Sequence, residues 1–131
     1  MQSHKLIVAD FDVELVENIA SHFRKLGCEV KTAYDALTIL KLAHLDTPDA
    51  FVLGADLKCD NGVCVCEFLA SERMFSHFPT VLLVDDARDQ YRHDCHGLRA
   101  FYVLKGERLP KRIENVLAAG ATRLPPAFAE I

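Results

Sequence analysis

The sequence predicts an α/β protein in which a parallel sheet is covered by helices on both faces. Short, continuously apolar runs alternate with longer segments whose apolar residues recur at helical spacing. Runs that are apolar at successive positions are typical of parallel strands buried on both faces. The repeated alternation of strand and helix indicates right-handed crossover units. We therefore predict a doubly wound, five-stranded parallel sheet with five helices.

The apolar runs have the length of strands, and their carboxyl ends define one edge of the sheet. The third run leads into Gly54, at the edge where open parallel sheets place ligands and chemistry. A reactive side chain is expected at such a position, and glycine supplies none. The predicted strands cover residues 4–9, 28–33, 50–53, 80–84 and 98–104, and Val30 is the strongest apolar position of the second.

The segments that follow the runs are predicted to be helical. Gly27 and Gly120 follow the first and the last of them, as glycine commonly does at helix ends. Pro48 follows the second segment and disfavours its continuation. The fourth segment is polar and rich in charge, so it predicts a loop with a short, weakly hydrophobic helix. The helices are expected within residues 13–26, 36–45, 63–71, 85–96 and 109–119.

Length and charge limit the classes of function. The 131 residues predict one domain over residues 1–120, followed by a tail or the start of a linker at 121–131. The net charge is −4 and no basic run exceeds two residues, which argues against a nucleic-acid-binding face. No signal-peptide core and no apolar stretch of membrane-spanning length is present, so we expect a cytoplasmic protein without a membrane partner.

Four short segments follow one another in an informative order and spacing, although none is specific by itself. They are Leu6-Ile7-Val8-Ala9-Asp10, Pro48-Asp49-Ala50-Phe51-Val52-Leu53, Asn61-Gly62 and Tyr102-Val103-Leu104-Lys105. Together they resemble a first strand with an acidic end, the strand before a phosphoacceptor, the turn that opens the third helix, and a fifth strand with a terminal lysine. In this order they resemble the receiver domain of bacterial two-component response regulators, over residues 4 to about 119.

The resemblance implies a CheY-like, flavodoxin-like fold with the strand order 2-1-3-4-5. It also implies the chemistry of the family, in which a kinase histidine transfers a phosphoryl group to an aspartate at the end of the third strand. An acidic pair after the first strand holds Mg²⁺, for which oxygen ligands are suited. A Ser or Thr at the end of the fourth strand and a lysine after the fifth bind the phosphoryl oxygens, where positive charge is needed.

The sequence departs from that pattern at three positions of one site. The phosphoacceptor, one member of the acidic pair and the phosphoryl hydrogen-bond donor are all replaced, while the lysine is retained. The matching positions are Gly54 for the acceptor, Asp10 and Phe11 for the acidic pair, Val84 for the Ser or Thr, and Lys105 for the lysine, with Gly106 where the family usually has a proline.

These losses predict a pseudo-receiver that is not phosphorylated at the usual position, is not an enzyme and requires no cofactor. Asp10 is expected to bind Mg²⁺ weakly at most and to form an ion pair with Lys105. The alternative is an atypical acceptor, with Asp12, Asp56 or Asp60 phosphorylated in the presence of Mg²⁺. These side chains are displaced from the usual position, and in-line transfer depends on close alignment. Asp12 also suits the N-cap of the first helix.

The predicted function is that of a receiver-like module in two-component signal transduction, acting through protein–protein interaction. Tyr102 stands where receivers carry an aromatic switch residue, and Val84 removes the hydroxyl that accompanies its movement, so we expect one fixed rotamer. By analogy with the fold, a kinase, output domain or regulator is expected to bind the face of the fourth helix, fifth strand and fifth helix. A homodimer through the same region is the other expected use of this face.

A second alternative is a metal or thiol sensor built from cysteine and histidine side chains. The cysteines are five in number and irregularly spaced, so reduced thiols are expected in preference to a disulfide framework. Their spacing matches no familiar zinc motif. The candidate residues are Cys59, Cys64, Cys66, His93, Cys95 and His96.

Overall fold

The strands form one parallel sheet in the order β2-β1-β3-β4-β5, which confirms the predicted order. The structure is a computed structural model, and it describes residues 4–54, 79–85 and 100–120. The strands are β1 Lys5–Ala9, β2 Glu29–Ala33, β3 Ala50–Gly54, β4 Thr80–Val84 and β5 Ala100–Leu104. The described helices are α1 Val13–Lys25, α2 Ala36–Leu45 and the C-terminal helix Leu109–Gly120.

The sheet is buried on both faces around its central strand, β3. This strand pairs with β1 on one side and β4 on the other, and every residue of β3 and β4 is buried. α1 and the C-terminal helix share a single apolar core with alternate residues of the sheet. α2 packs against β1 and β2, and its buried residues lie outside that core, on the other face. Burial on both faces explains why β3 and β4 are nearly continuously apolar, whereas the edge strand β2 is only partly buried and contains Glu29 and Lys31.

The first two described helices each begin at an aspartate that caps the helix. Asp12 Oδ1 accepts a hydrogen bond from the Leu15 N–H at 3.2 Å, and Asp35 Oδ1 accepts one from the Thr38 N–H at 2.8 Å. Each cap satisfies a backbone donor that has no partner within the helix. The Thr38 amide, followed by the Thr38 hydroxyl, holds the pKa of Asp35 below its usual value.

The boundaries of the first helix and the second strand differ slightly from the predicted ones. α1 ends one residue before Leu26, and Gly27 follows with a φ of 91°, in the left-handed region that favours glycine. Cys28 was predicted to begin the second strand, and this was wrong because its backbone N–H donates to the Phe23 carbonyl at 3.1 Å. The turn after α1 therefore uses the residue that the apolar pattern assigned to β2.

The other differences concern glycines at the ends of elements. β3 extends one residue beyond the predicted strand, because Gly54 pairs with Leu83 of β4. The C-terminal helix includes Gly120, which was predicted to follow it. The predicted helix 63–71, nearly all of the predicted helix 85–96 and strand residues 98–99 lie outside the described residues. No helix in the part of the chain that the structure describes is long and apolar enough to span a membrane.

Candidate functional site

Four of the predicted site residues meet at the carboxyl edge of the sheet. Asp10 and Lys105 directly follow β1 and β5, while Gly54 and Val84 are the last residues of β3 and β4. The parallel register aligns these strand ends at one edge. Asp10, Gly54 and Val84 are buried, and 21% of the Lys105 side chain is exposed. The edge therefore holds a carboxylate, an ammonium group and two residues without a polar side chain.

The Asp10 carboxylate fills the space beside Gly54 that a side chain would occupy. A Cβ atom added to Gly54 would lie 2.8 Å from Asp10 Cγ and closer still to Asp10 Oδ2. Cβ atoms essentially never come this close to another heavy atom, so a larger residue at position 54 requires Asp10 to move. A carboxylate is thus present at this edge, but it reaches the edge from β1 and not from β3.

Asp10 is held at both carboxylate oxygens although it is only 1% exposed. Its Oδ1 accepts a hydrogen bond from the Asp12 N–H at 3.0 Å. Its Oδ2 lies 3.0 Å from Lys105 Nζ, which confirms the predicted ion pair. That oxygen accepts no hydrogen bond of good geometry from the residues the structure describes. The ammonium therefore provides charge compensation for this oxygen more than a directed hydrogen bond.

Lys105 is surrounded by three groups that stabilise its charge. Besides Asp10, its Nζ lies 3.5 Å from Asp85 Oδ1 and 5.6 Å from the centre of the Phe11 ring, a distance at which a cation–π interaction forms. Burial disfavours the ammonium, but the two carboxylates outweigh this effect and raise the pKa of Lys105 above its usual value. Lys105 is consequently charged throughout the neutral pH range.

The turn between β5 and the C-terminal helix is fixed by contacts that the sequence analysis missed. The Lys105 N–H donates to the Val84 carbonyl at 2.9 Å, and Arg112 Nη1 donates to the Leu104 carbonyl at 2.8 Å. No cis peptide bond occurs among the described residues. Arg112 lies seven residues beyond Lys105, and no local spacing rule links a helix residue to a strand-end carbonyl, so the sequence carried no signal for it.

Asp12 makes two contacts that stabilise the local structure at the start of α1. Its carboxylate caps α1, and its backbone N–H binds Asp10. Val84 is buried, and Tyr102 is half-buried opposite Leu82 of β4. The alternative acceptors Asp56 and Asp60 and the cysteine and histidine candidates lie outside the described residues. The candidates outside the described residues are Asp56, Asp60, Cys59, Cys64, Cys66, His93, Cys95 and His96.

The described residues at this edge do not fit a magnesium ion. Mg²⁺ requires near-octahedral coordination by oxygen, but Asp10 is already bound by Asp12 and Lys105. Phe11 offers an apolar ring with 53% exposure where the family pattern requires a second carboxylate. Within residues 4–54, 79–85 and 100–120, no group of three or more acidic, histidine or cysteine side chains could hold a metal ion.

The chain is similar in fold to solved receiver domains, although neither a family model nor a curated protein matches its sequence. Chemotaxis protein CheY4 of Vibrio cholerae is 15% identical with a TM-score of 0.78, over 90% of this chain and 98% of that protein. The receiver domain of a sensor histidine kinase from Pseudomonas aeruginosa, which has magnesium coordinated in its active-site cleft, is 17% identical with a TM-score of 0.74, over 90% and 97%. The N-terminal domain of a three-domain response regulator protein from Carboxydothermus hydrogenoformans is 14% identical with a TM-score of 0.72, over 88% and 92%. The chain therefore has the receiver fold.

Proposed function

We propose that this protein is a receiver-like signalling module that acts by binding another protein and not by accepting a phosphoryl group at position 54. It is a non-enzymatic, pseudo-receiver member of a two-component pathway. The fold supports the signalling assignment by analogy. The geometry of the carboxyl edge supports the loss of phosphoryl transfer.

The observation that carries the proposal is the position of the Asp10 carboxylate. It fills the space that an acceptor side chain at position 54 would need, and it is paired with the lysine that would otherwise meet phosphoryl oxygens. An incoming phosphoryl group thus finds neither a nucleophile on β3 nor a free ammonium. Val84 supplies no hydroxyl, so the electrostatic and hydrogen-bonding stabilisation of the transition state is also missing.

The same contacts favour one fixed conformation of the β5 edge. Lys105 is bound to Asp10, and Arg112 is bound to the carbonyl of Leu104, so both ends of the turn after β5 are held. A surface that is held in one state suits a constitutive partner better than a switched one. The proposed docking face comprises β5 and the outer side of the C-terminal helix, where a kinase, an output domain, a regulator or a second copy of the chain would bind.

Phosphoryl transfer is tested by incubating the protein with acetyl phosphate and Mg²⁺ and measuring the intact mass. We expect no mass gain of one phosphoryl group, whereas a receiver with an aspartate acceptor, treated identically, gains it. A modified peptide that maps to Asp12, Asp56 or Asp60 would support the atypical acceptor instead and overturn the proposal.

The docking face is tested with two matched substitutions that each add one negative charge at an exposed helix position. Asn115→Glu lies on the C-terminal helix and Ser21→Glu lies on α1. We expect a partner captured by the wild-type chain to be lost with Asn115→Glu, retained with Ser21→Glu, and unaffected by acetyl phosphate. Equal loss with both variants would contradict the assigned face, and capture that requires acetyl phosphate would contradict a constitutive role.

A further inference from the structure

Two carboxylates from separate segments of the chain converge on one ammonium group at the carboxyl edge. Lys105 Nζ lies 3.0 Å from Asp10 Oδ2 and 3.5 Å from Asp85 Oδ1. The two carboxylates differ in environment, because Asp10 is almost fully buried while the Asp85 side chain is 63% exposed. A buried carboxylate requires a counter-ion, and in this chain the counter-ion of Asp10 is the side chain of Lys105.

We infer that the Lys105 ammonium takes the place of a divalent cation at this edge, so that the protein folds and keeps its site intact without a metal. The ammonium neutralises Asp10, is shared with Asp85, and rests against the Phe11 ring. The inference rests on the proposed function in one respect, because a site that transfers no phosphoryl group does not need a metal to neutralise one.

The chemistry of the two cations explains why the ammonium suits this geometry. Mg²⁺ demands six oxygen ligands at about 2.0–2.1 Å in near-ideal octahedral arrangement. A lysine ammonium has three rotatable donors on a flexible stem and tolerates irregular partners. The Phe11 face attracts the ammonium through its quadrupole but cannot coordinate Mg²⁺. Each neighbour at this edge thus accommodates an ammonium, and the ring does not accommodate a metal.

Without Lys105, the Asp10 carboxylate should need a cation from solution to compensate its charge. Lys105→Met preserves much of the length of the side chain and removes its charge, which leaves the buried Asp10 carboxylate without compensation. Mg²⁺ commonly binds through one or two carboxylates with water completing its shell. Asp10 and Asp85 could then supply those carboxylates.

The experiment compares metal binding and thermal stability of the full chain with and without this substitution. In the wild-type protein we expect no saturable Mn²⁺ binding by electron paramagnetic resonance and no change in Tm on adding about 10 mM Mg²⁺. In Lys105→Met we expect a lower Tm without metal and a rise of about 5 °C with the same Mg²⁺ concentration. Two controls should show no such rise: Lys105→Met combined with Asp10→Asn, which removes both charges, and Lys5→Met, which removes an exposed lysine.

Three outcomes would overturn the inference. They are saturable Mn²⁺ binding by the wild-type chain that Asp10→Asn abolishes, a Lys105→Met chain whose stability is unchanged by Mg²⁺, and a Lys105→Met chain that remains unfolded at every Mg²⁺ concentration. The proposed function has a separate readout, the phosphoryl mass gain. Metal binding without that gain defeats only this inference, whereas the gain itself defeats the proposed function.

Discussion

Two lysine–aspartate pairs lie at opposite ends of the same sheet, and they differ in burial more than in distance. At the amino edge, Lys5 Nζ lies 2.7 Å from Asp46 Oδ1, and the two side chains are 42% and 32% exposed. At the carboxyl edge, Lys105 Nζ lies 3.0 Å from Asp10 Oδ2, and the two side chains are 21% and 1% exposed. The longer contact is the one that the protein depends on, because only Asp10 lacks access to water.

Because of this difference, the two ion pairs are expected to contribute unequally to the free energy of unfolding. Water solvates both charges of an exposed pair, so such a pair contributes little to stability. Removing one partner of a buried pair leaves an uncompensated charge. The amino-edge pair also involves Lys31, which lies 3.5 Å from Asp46 Oδ2, so the loss of Lys5 leaves that aspartate with another cation.

The largest effect is expected from removing the lysine at the carboxyl edge, compared with removing the lysine at the amino edge. Lys105→Met should lower the free energy of unfolding by about 3 kcal/mol, while Lys5→Met should cause a much smaller loss, measured by urea denaturation without divalent metal. Because Asp10 and Asp85 raise the pKa of Lys105, its stabilisation is fully present below the ordinary lysine pKa. It is lost only as pH rises through the raised pKa, above 10.5. Equal losses at the two edges would show that burial of Asp10 is not the deciding factor.

The next effect concerns the close fit of Gly54 against Asp10 at the carboxyl edge. Gly54→Ala should lower the free energy of unfolding by about 1–3 kcal/mol, because the added methyl group overpacks a buried site. In an Asp10→Ala background the same substitution should cost less than half as much, which a double-mutant cycle in urea measures. Additive losses would mean that the two residues do not share this space.

A smaller effect is expected at the N-cap of α2, which is exposed and where the Thr38 amide and hydroxyl donate to Asp35. Asp35→Ala should lower the free energy of unfolding by about 1 kcal/mol at neutral pH. The Thr38 hydrogen bonds lower the pKa of Asp35, so this stabilisation is present above the unfolded-state pKa of about 3.9. It is lost as pH falls through the lower, folded-state value. A pH-independent loss in Asp35→Ala would contradict a role for the ionised carboxylate.

The smallest effect is expected from salt at the amino edge. Asp46 holds the pKa of Lys5 above its usual value, and Lys5 holds the pKa of Asp46 below its own, but ions in solution screen exposed charges. The difference in Tm between wild-type protein and Lys5→Met should therefore shrink towards zero in about 1 M NaCl. The difference for Lys105→Met should persist at the same salt concentration. Its disappearance would indicate that the carboxyl-edge pair is also open to solvent.

Much of this protein followed from its sequence because the deciding interactions are local or are repeated along the chain. Apolar runs located β1, β3 and β4 to within one residue, since burial on both faces requires apolar side chains at successive positions. The second strand was also located to within one residue, and the described part of β5 falls within the predicted strand. Asp12 as the cap of α1 and Gly27 as the residue after its end were predictable because capping and left-handed turns depend on one or two neighbours. The strand order came from resemblance, and the structure confirmed it.

The sequence predicted which residues form the site, but only part of how their side chains are placed. The sequence by itself determined that position 54 lacks a carboxylate, that Val84 lacks a hydroxyl and that a lysine, Lys105, follows the fifth strand. Only the tertiary structure decided that the Asp10 carboxylate turns into the space beside Gly54 and that Asp85 shares the lysine. These contacts join residues that are tens of positions apart in the chain, and they depend on side-chain direction at the edge of a folded sheet. No local spacing encodes that direction, because it is set by burial and charge compensation once the strands are side by side.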